Sequence, residues 1–191
     1  MYDVTPVTSM HPSDCGATCL RMLLLYYGID VPLDQLTKEL NVRMVGCTGG
    51  DLLRVGRAHG LGMTAYRVDA EELMQLDRPA IAHWRHQHWV VFCGMDARGF
   101  AVIADPDKGR FGIDPGTFAA LYSGTAFFNG APLDGIPAED NYVQGQLFEL
   151  CGCTYRATTN IARGECVRDG HNAEVVALTD MINEINSESE E

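Results

Sequence analysis

Three residue types in this 191-residue chain could together carry out acyl-transfer chemistry: Cys15, His88 and Asp105. A thiolate is a strong nucleophile. A nearby imidazole can take the thiol proton, and a carboxylate can hold the imidazole in the right tautomer. Cys15 lies in Ser13-Asp14-Cys15-Gly16-Ala17-Thr18-Cys19-Leu20, which runs into Arg21-Met22-Leu23-Leu24-Leu25-Tyr26-Tyr27-Gly28. Leu20, Leu23 and Leu24 share one face at helical spacing, Gly28 is a helix stop, and Ser13 and Asp14 are residue types that cap a start. The pattern predicts a helix over 16–27 with Cys15 at or near its N-terminus. The partial positive charge of a helix start lowers a thiol pKa.

The other two residues are brought together by a predicted hairpin. Residues 88–93 and 100–104 read as strands joined by the turn Met95-Asp96-Ala97-Arg98-Gly99. His88 opens the first strand and Asp105 follows the second, so an antiparallel pairing sets them side by side at one sheet end. Other histidines compete. His83 alternates with Ile81 and reads as a polar or interface residue, His86 as a loop residue, and His11 and His59 as surface residues.

The surrounding chain predicts helices first and strands later. Pro6 and Pro12 keep the first fourteen residues irregular. Leu33, Leu36 and Leu40 mark a short amphipathic helix ending near Asn41. Val45-Gly46-Cys47-Thr48-Gly49-Gly50 is glycine-rich but has neither of the phosphate-loop patterns, so it reads as a loop capped by Thr48 into a helix over 51–59. A strand over 64–68, a helix over 70–76 begun by Asp69, a strand over 80–84, a turn at Lys108-Gly109-Arg110 and a helix from Asp114-Pro115 to Tyr122 complete an α+β layout.

Composition excludes several classes. The net charge of −12 argues against nucleic acid as a partner, since a basic face would be needed. The longest apolar run, Met22 to Tyr27, is far too short for a membrane segment. No secretory signal is visible at the N-terminus, so a cytoplasmic location is expected, either of this protein or of part of a larger one. Seven cysteines without such a signal do not suggest a disulfide framework.

The charge is uneven. Residues 139–191 hold 11 Asp and Glu against 3 Arg, a net −8, which leaves −4 for the first 138. This predicts one domain over 1–138 and an acidic, cysteine-containing extension over 139–191. Within the extension, Leu178, Ile182 and Ile185 predict an amphipathic helix over 173–186. Cys151, Cys153, Cys166 and His171 could form a Cys₃His zinc site, but their spacing matches no familiar ligand pattern, and no metal or other cofactor is expected.

Beside this reading, the motifs resemble those of the C39 peptidase domains, papain-like cysteine proteases of bacteriocin maturation systems. Asp14-Cys15-Gly16-Ala17-Thr18-Cys19-Leu20 is similar to the family's start. Pro79-Ala80-Ile81-Ala82-His83-Trp84 with His88-Trp89-Val90-Val91 is similar to its histidine region. Asp105-Pro106 with Gly109-Arg110 resembles its aspartate region, and residues 118–124 its closing segment. The likeness covers about residues 5–130 in order.

It implies a papain-like fold with N-terminal helices on an antiparallel sheet. It also implies cleavage of a precursor peptide after a double-glycine leader, usually in the service of a peptide-exporting ABC transporter. Cys15 would be the nucleophile, His88 the base and Asp105 the orienter. The leader would lie as a helix in an apolar groove. The chain departs from the family at Ser9, where the family has a glutamine whose amide helps hold the oxyanion. Losing such a donor typically costs ~10²–10³ in rate. Two alternatives follow: a weakened leader-binding module, or another papain-like acyl-transfer enzyme.

Overall fold

The computed structural model describes residues 1–42, 46–85 and 87–130, with Pro12 as backbone only. The N-terminal segment enters a single 3-10 turn, Pro12–Asp14, which leads straight into helix α1, Cys15–Tyr26. Gly28 takes φ 78°, a left-handed conformation that costs glycine nothing, and ends the helix where the sequence predicts. Helices α2 (Leu33–Glu39) and α3 (Gly49–Ala58) follow. A reciprocal capping box opens α3: the Thr48 side chain accepts from the Asp51 N–H, and the Asp51 side chain accepts from the Thr48 N–H. The same device, between Asp69 and Glu72, opens α4 (Ala70–Met74) after strand β1 (Met63–Arg67).

Strands β2 (Ala80–Trp84), β3 (His88–Met95) and β4 (Ala101–Asp105) occur as expected. Helix α5 (Pro115–Leu121) starts at Asp114, whose side chain accepts from the Thr117 N–H. Two strands were not expected. β5 (Gly109–Ile113) begins inside the stretch read as a turn, Lys108-Gly109-Arg110, and β6 (Tyr122–Asn129) runs from the residue read as the end of the last helix. All pairings are antiparallel, in the order β1-β6-β2-β3-β4-β5. The unexpected β6 is therefore an interior strand that joins β1 to the rest of the sheet.

Helices cover both faces of this sheet. Alternate residues of a strand point to opposite sides. On β3, Trp89, Val91 and Cys93 enter a core with Leu20, Leu23 and Leu24 of α1 and Leu52 and Val55 of α3. Val90 and Phe92 enter a second core with Leu73 of α4 and Phe118 of α5. Placing β3 in the middle of both cores fixes its start, and so fixes His88.

The N-terminal residues are tied to the same sheet. The Tyr2 N–H donates to the Cys93 carbonyl at 2.6 Å. Arg110 on β5 donates to the Val4 carbonyl at 2.7 Å and the Tyr2 carbonyl at 2.8 Å. Gly94, at φ 87°, leaves room for Met1, whose Cα would lie 3.1 Å from an added Cβ.

Burial pushes the Cys93 thiol up to about 11. The folded state thus favours the protonated thiol more than the unfolded chain does. That contribution is complete below the ordinary thiol range and is lost as pH rises towards 11. We expect the melting temperature to fall between pH 9 and pH 11, and to fall less steeply in Cys93→Ala, with thermal unfolding by circular dichroism as the check.

Among the described residues, no helix is long and apolar enough to cross a membrane. The domain boundary at 138/139, the extension helix over 173–186, the candidate ligands Cys151, Cys153, Cys166 and His171, and the loop histidine His86 all lie outside the described residues.

Candidate functional site

Cys15 is the first residue of α1 and is buried. Asp14 occupies the N-cap position without a side-chain cap bond, so it does not serve as the cap the sequence suggested. The residue after Cys15 shows how tightly the helix start is seated. A Cβ on Gly16 would lie 2.4 Å from Cys47 Sγ and 3.1 Å from Trp89 Cδ1. Only glycine lets the backbone approach Trp89 this closely, and Trp89 is the residue that follows His88 on β3.

His88 and Asp105 meet as the hairpin predicts. β3 and β4 pair with Val91 opposite Ala104 and Phe92 opposite Ile103. The His88 Nε2 and Asp105 Oδ1 atoms are 3.0 Å apart. An ionised carboxylate can only accept, so Nε2 carries the proton and the neutral ring keeps its lone pair on Nδ1. Asp105 is buried, and burial alone would raise its pKa. The hydrogen bond from His88, the attraction of that ring in its protonated form and the Asp107 N–H outweigh burial and hold the carboxyl below its ordinary value. The Asp107 N–H donates to the same Oδ1 at 2.8 Å.

Cys19 is a second buried thiol on α1. It lies one turn beyond Cys15 on α1, and its thiol is pushed well up, first by burial and then by the charges of Cys15, Asp105, Cys47 and Cys93. Cys15 and Asp105 thus both fall within electrostatic reach of one buried side chain. The arrangement offers a thiol at a helix start, an imidazole with a fixed tautomer, and a carboxylate that fixes it.

Ser9 sits against the loop after β4. Its N–H donates to the Pro106 carbonyl at 2.9 Å. Its hydroxyl is 2.6 Å from Asp107 Oδ1 and 3.4 Å from the Pro106 carbonyl. The single hydroxyl proton is committed to the shorter contact, so Ser9 is anchored to Asp107.

His83 departs from expectation. Instead of lying at a polar or interface position, it is buried, with Nδ1 2.9 Å from Ser123 Oγ and its ring 4.6 Å from that of Trp89. The reason is the unexpected strand β6, which supplies Ser123. His11 is exposed, as expected. His59 is half-buried and pairs with Glu39 at 2.6 Å.

Sequence reasoning also missed the parts played by Asp107 and Gly16. An Asp-Pro-Asp run directly after a strand is the signal that could have pointed to Asp107. Nothing in the sequence revealed the closeness of Gly16 to Trp89.

A buried thiol at the start of a helix packed on an antiparallel sheet, with a bonded His–Asp pair at the end of two neighbouring strands, defines an α+β fold of the papain-like cysteine peptidase class. Residues 3–130 match the Peptidase C39 family, and the chain belongs to that family.

The chain is similar to the colicin V secretion/processing ATP-binding protein of Escherichia coli, with 26% identity over 114 residues. That match covers 60% of this chain and 16% of the relative. Against the probable microcin-H47 secretion/processing ATP-binding protein of Escherichia coli, the identity is 24% over 160 residues, covering 81% of this chain and 22% of that one. The chain thus spans about a fifth of the length of these relatives. Among solved structures it is similar to a double glycine motif protease from an AMS/PCAT transporter in complex with the leader peptide. There the identity is 32% and the TM-score 0.63, over 66% of this chain and 90% of that one.

Proposed function

We propose that this chain is a cysteine endopeptidase that cuts a precursor peptide of the bacteriocin type after a double-glycine leader, working with an ABC transporter. The observation that carries the reading is the His88–Asp105 hydrogen bond of 3.0 Å, made by a strand whose next residue, Trp89, packs against Gly16, the residue after Cys15. Family membership and the likeness to a protease seen with its leader peptide support the substrate class.

In this mechanism Nδ1 of His88 takes the Cys15 thiol proton. The thiolate is steadied by the start of α1 and attacks the carbonyl carbon of the second glycine. The tetrahedral oxyanion is held by backbone N–H at the helix start. His88 then returns its proton to the leaving amine, and the C–N bond breaks. Water, activated by the same imidazole, hydrolyses the thioester and frees the leader. Asp105 stays ionised throughout and holds the ring.

The test is a panel of precursors with double-glycine leaders, their products read by mass spectrometry. Cleavage after the second glycine is expected, and it should stop when the glycine pair is changed to Val-Val. Leaders that bind but stay intact at high enzyme concentration would contradict the reading.

The commitment of the Ser9 hydroxyl to Asp107 favours one specific second reading: a slow enzyme, or a leader-binding module without turnover. On the peptidase reading, Ser9→Gln should raise kcat by about 10²-fold, the usual worth of one oxyanion donor. Ser9→Ala should change kcat less than tenfold, since the hydroxyl already serves Asp107. Steady-state kinetics on one precursor checks both.

A further inference from the structure

We propose that His88, Asp105 and Asp107 bind a divalent transition-metal ion of the Zn²⁺ type, and that the bound ion holds the peptidase off. The second clause rests on the peptidase reading, whereas the binding does not. One ligand atom from each residue, the imidazole nitrogen and two carboxylate oxygens, lies within 4.8 Å of the others. Around a tetrahedral zinc with bonds of about 2.0–2.1 Å, ligand atoms stand roughly 3.4 Å apart. Side-chain movements of an ångström or so therefore close the set.

A second, independent observation points to a ligand. Asp105 is 1% exposed, and its Oδ2 is buried without a hydrogen-bond partner among the described residues. A buried anionic oxygen with spare lone pairs is costly unless something positive meets it. The other two residues provide an approach: the His88 side chain is 20% exposed and Asp107 is exposed. The ligands are also held in place by hydrogen bonds, since Ser9 donates to Asp107 Oδ1 and the Asp107 N–H donates to Asp105 Oδ1. Such supporting bonds orient carboxylate ligands. One imidazole with two carboxylates suits zinc, nickel or copper, and the imidazole disfavours magnesium and calcium.

The chemistry of inhibition follows from the tautomer. The metal takes the Nε2 lone pair, so the proton that Nε2 donates to Asp105 leaves. That single ring proton moves through solvent to Nδ1, which removes the lone pair that accepts the Cys15 proton. Zinc bound at this site therefore blocks the base without touching the thiol.

The experiment uses the whole 191-residue chain, stripped with a chelator and titrated with zinc sulfate by calorimetry, in parallel with zinc inhibition of precursor cleavage. Cysteine and histidine are zinc-ligand types that also occur elsewhere in the chain, so the comparison is among the parent, Asp107→Ala, Asp107→Asn and His88→Ala. We expect one binding event to weaken about tenfold or more in both Asp107 variants and to vanish in His88→Ala. The zinc concentration that halves each variant's own metal-free rate should rise by the same factor in the Asp107 variants, and a chelator should restore the parent.

Parental zinc affinity in Asp107→Ala and Asp107→Asn would overturn the site. If no precursor is cut, the calorimetric differences still decide the binding claim, so the failure of the peptidase reading remains distinct.

Discussion

Asp105→Ala is expected to lower kcat/KM for leader cleavage by about 10²–10⁴-fold, the range by which a positioned general base assists such reactions. The substitution removes the acceptor that keeps the proton on His88 Nε2, 3.0 Å away. The freed ring can then place its proton on Nδ1, or turn, and in either state it cannot accept from Cys15. Asp105→Asn separates orientation from charge. The Asp107 N–H donates to Oδ1 at 2.8 Å, so the amide must present its oxygen there and not its NH₂ group. The oxygen that faces Asp107 also faces His88. The tautomer survives, and only the negative charge that steadies the imidazolium is lost. Asp105→Asn should therefore fall between the parent and Asp105→Ala. Parental kcat/KM in Asp105→Ala, in protein shown to be folded by circular dichroism, would remove Asp105 from the mechanism.

The second large effect is structural and reaches the site through packing. Gly16→Ala would ordinarily help a helix by about 1 kcal/mol. Here the new methyl would stand 2.4 Å from Cys47 Sγ and 3.1 Å from Trp89 Cδ1, both in buried residues. Overpacking of this kind costs roughly 1–3 kcal/mol, so the clash outweighs the propensity gain. We expect the melting temperature to drop by several degrees and cleavage to fall with it, because the strain is shared between the residue after Cys15 and the residue after His88. Cys47→Ala removes the nearer obstacle. Combined with Gly16→Ala, it should recover part of the lost stability, as contacting sites are non-additive. A parental melting temperature in Gly16→Ala, or no recovery in the double variant, would contradict this account of the packing.

How much of this was legible in the sequence depends on how local each feature is. The start of α1, the Gly28 stop, the Thr48 and Asp69 caps and the β3–β4 hairpin all rest on residues a few positions apart, and all were predicted. The two missed strands depend on distant partners. β5 reads Gly109-Arg110-Phe111-Gly112-Ile113, and two glycines in five residues hide an edge strand that is only partly buried. β6 begins Tyr122-Ser123-Gly124-Thr125, which looks like a helix end and a loop. Pairing with β1 on one side and β2 on the other overrides that local preference.

The error about His83 follows from the same cause, because its partner Ser123 lies on β6. The His88–Asp105 pair was legible because both residues sit at the ends of one hairpin. The placing of Ser9 beside Asp107 was not, since 98 residues separate them in sequence.

The most direct measurement of the central claim uses a leader peptide ending in Gly-Gly with a chloromethyl ketone in place of the scissile amide. Mixed with the protein and read by intact mass and peptide mapping, it should give a single adduct on Cys15. Labelling should be much slower in His88→Ala and absent with a scrambled leader carrying the same electrophile. Labelling that ignores the leader sequence, falls equally on Cys47 or Cys19, or proceeds at the parental rate without His88 would contradict a Cys15 nucleophile served by the His88–Asp105 pair.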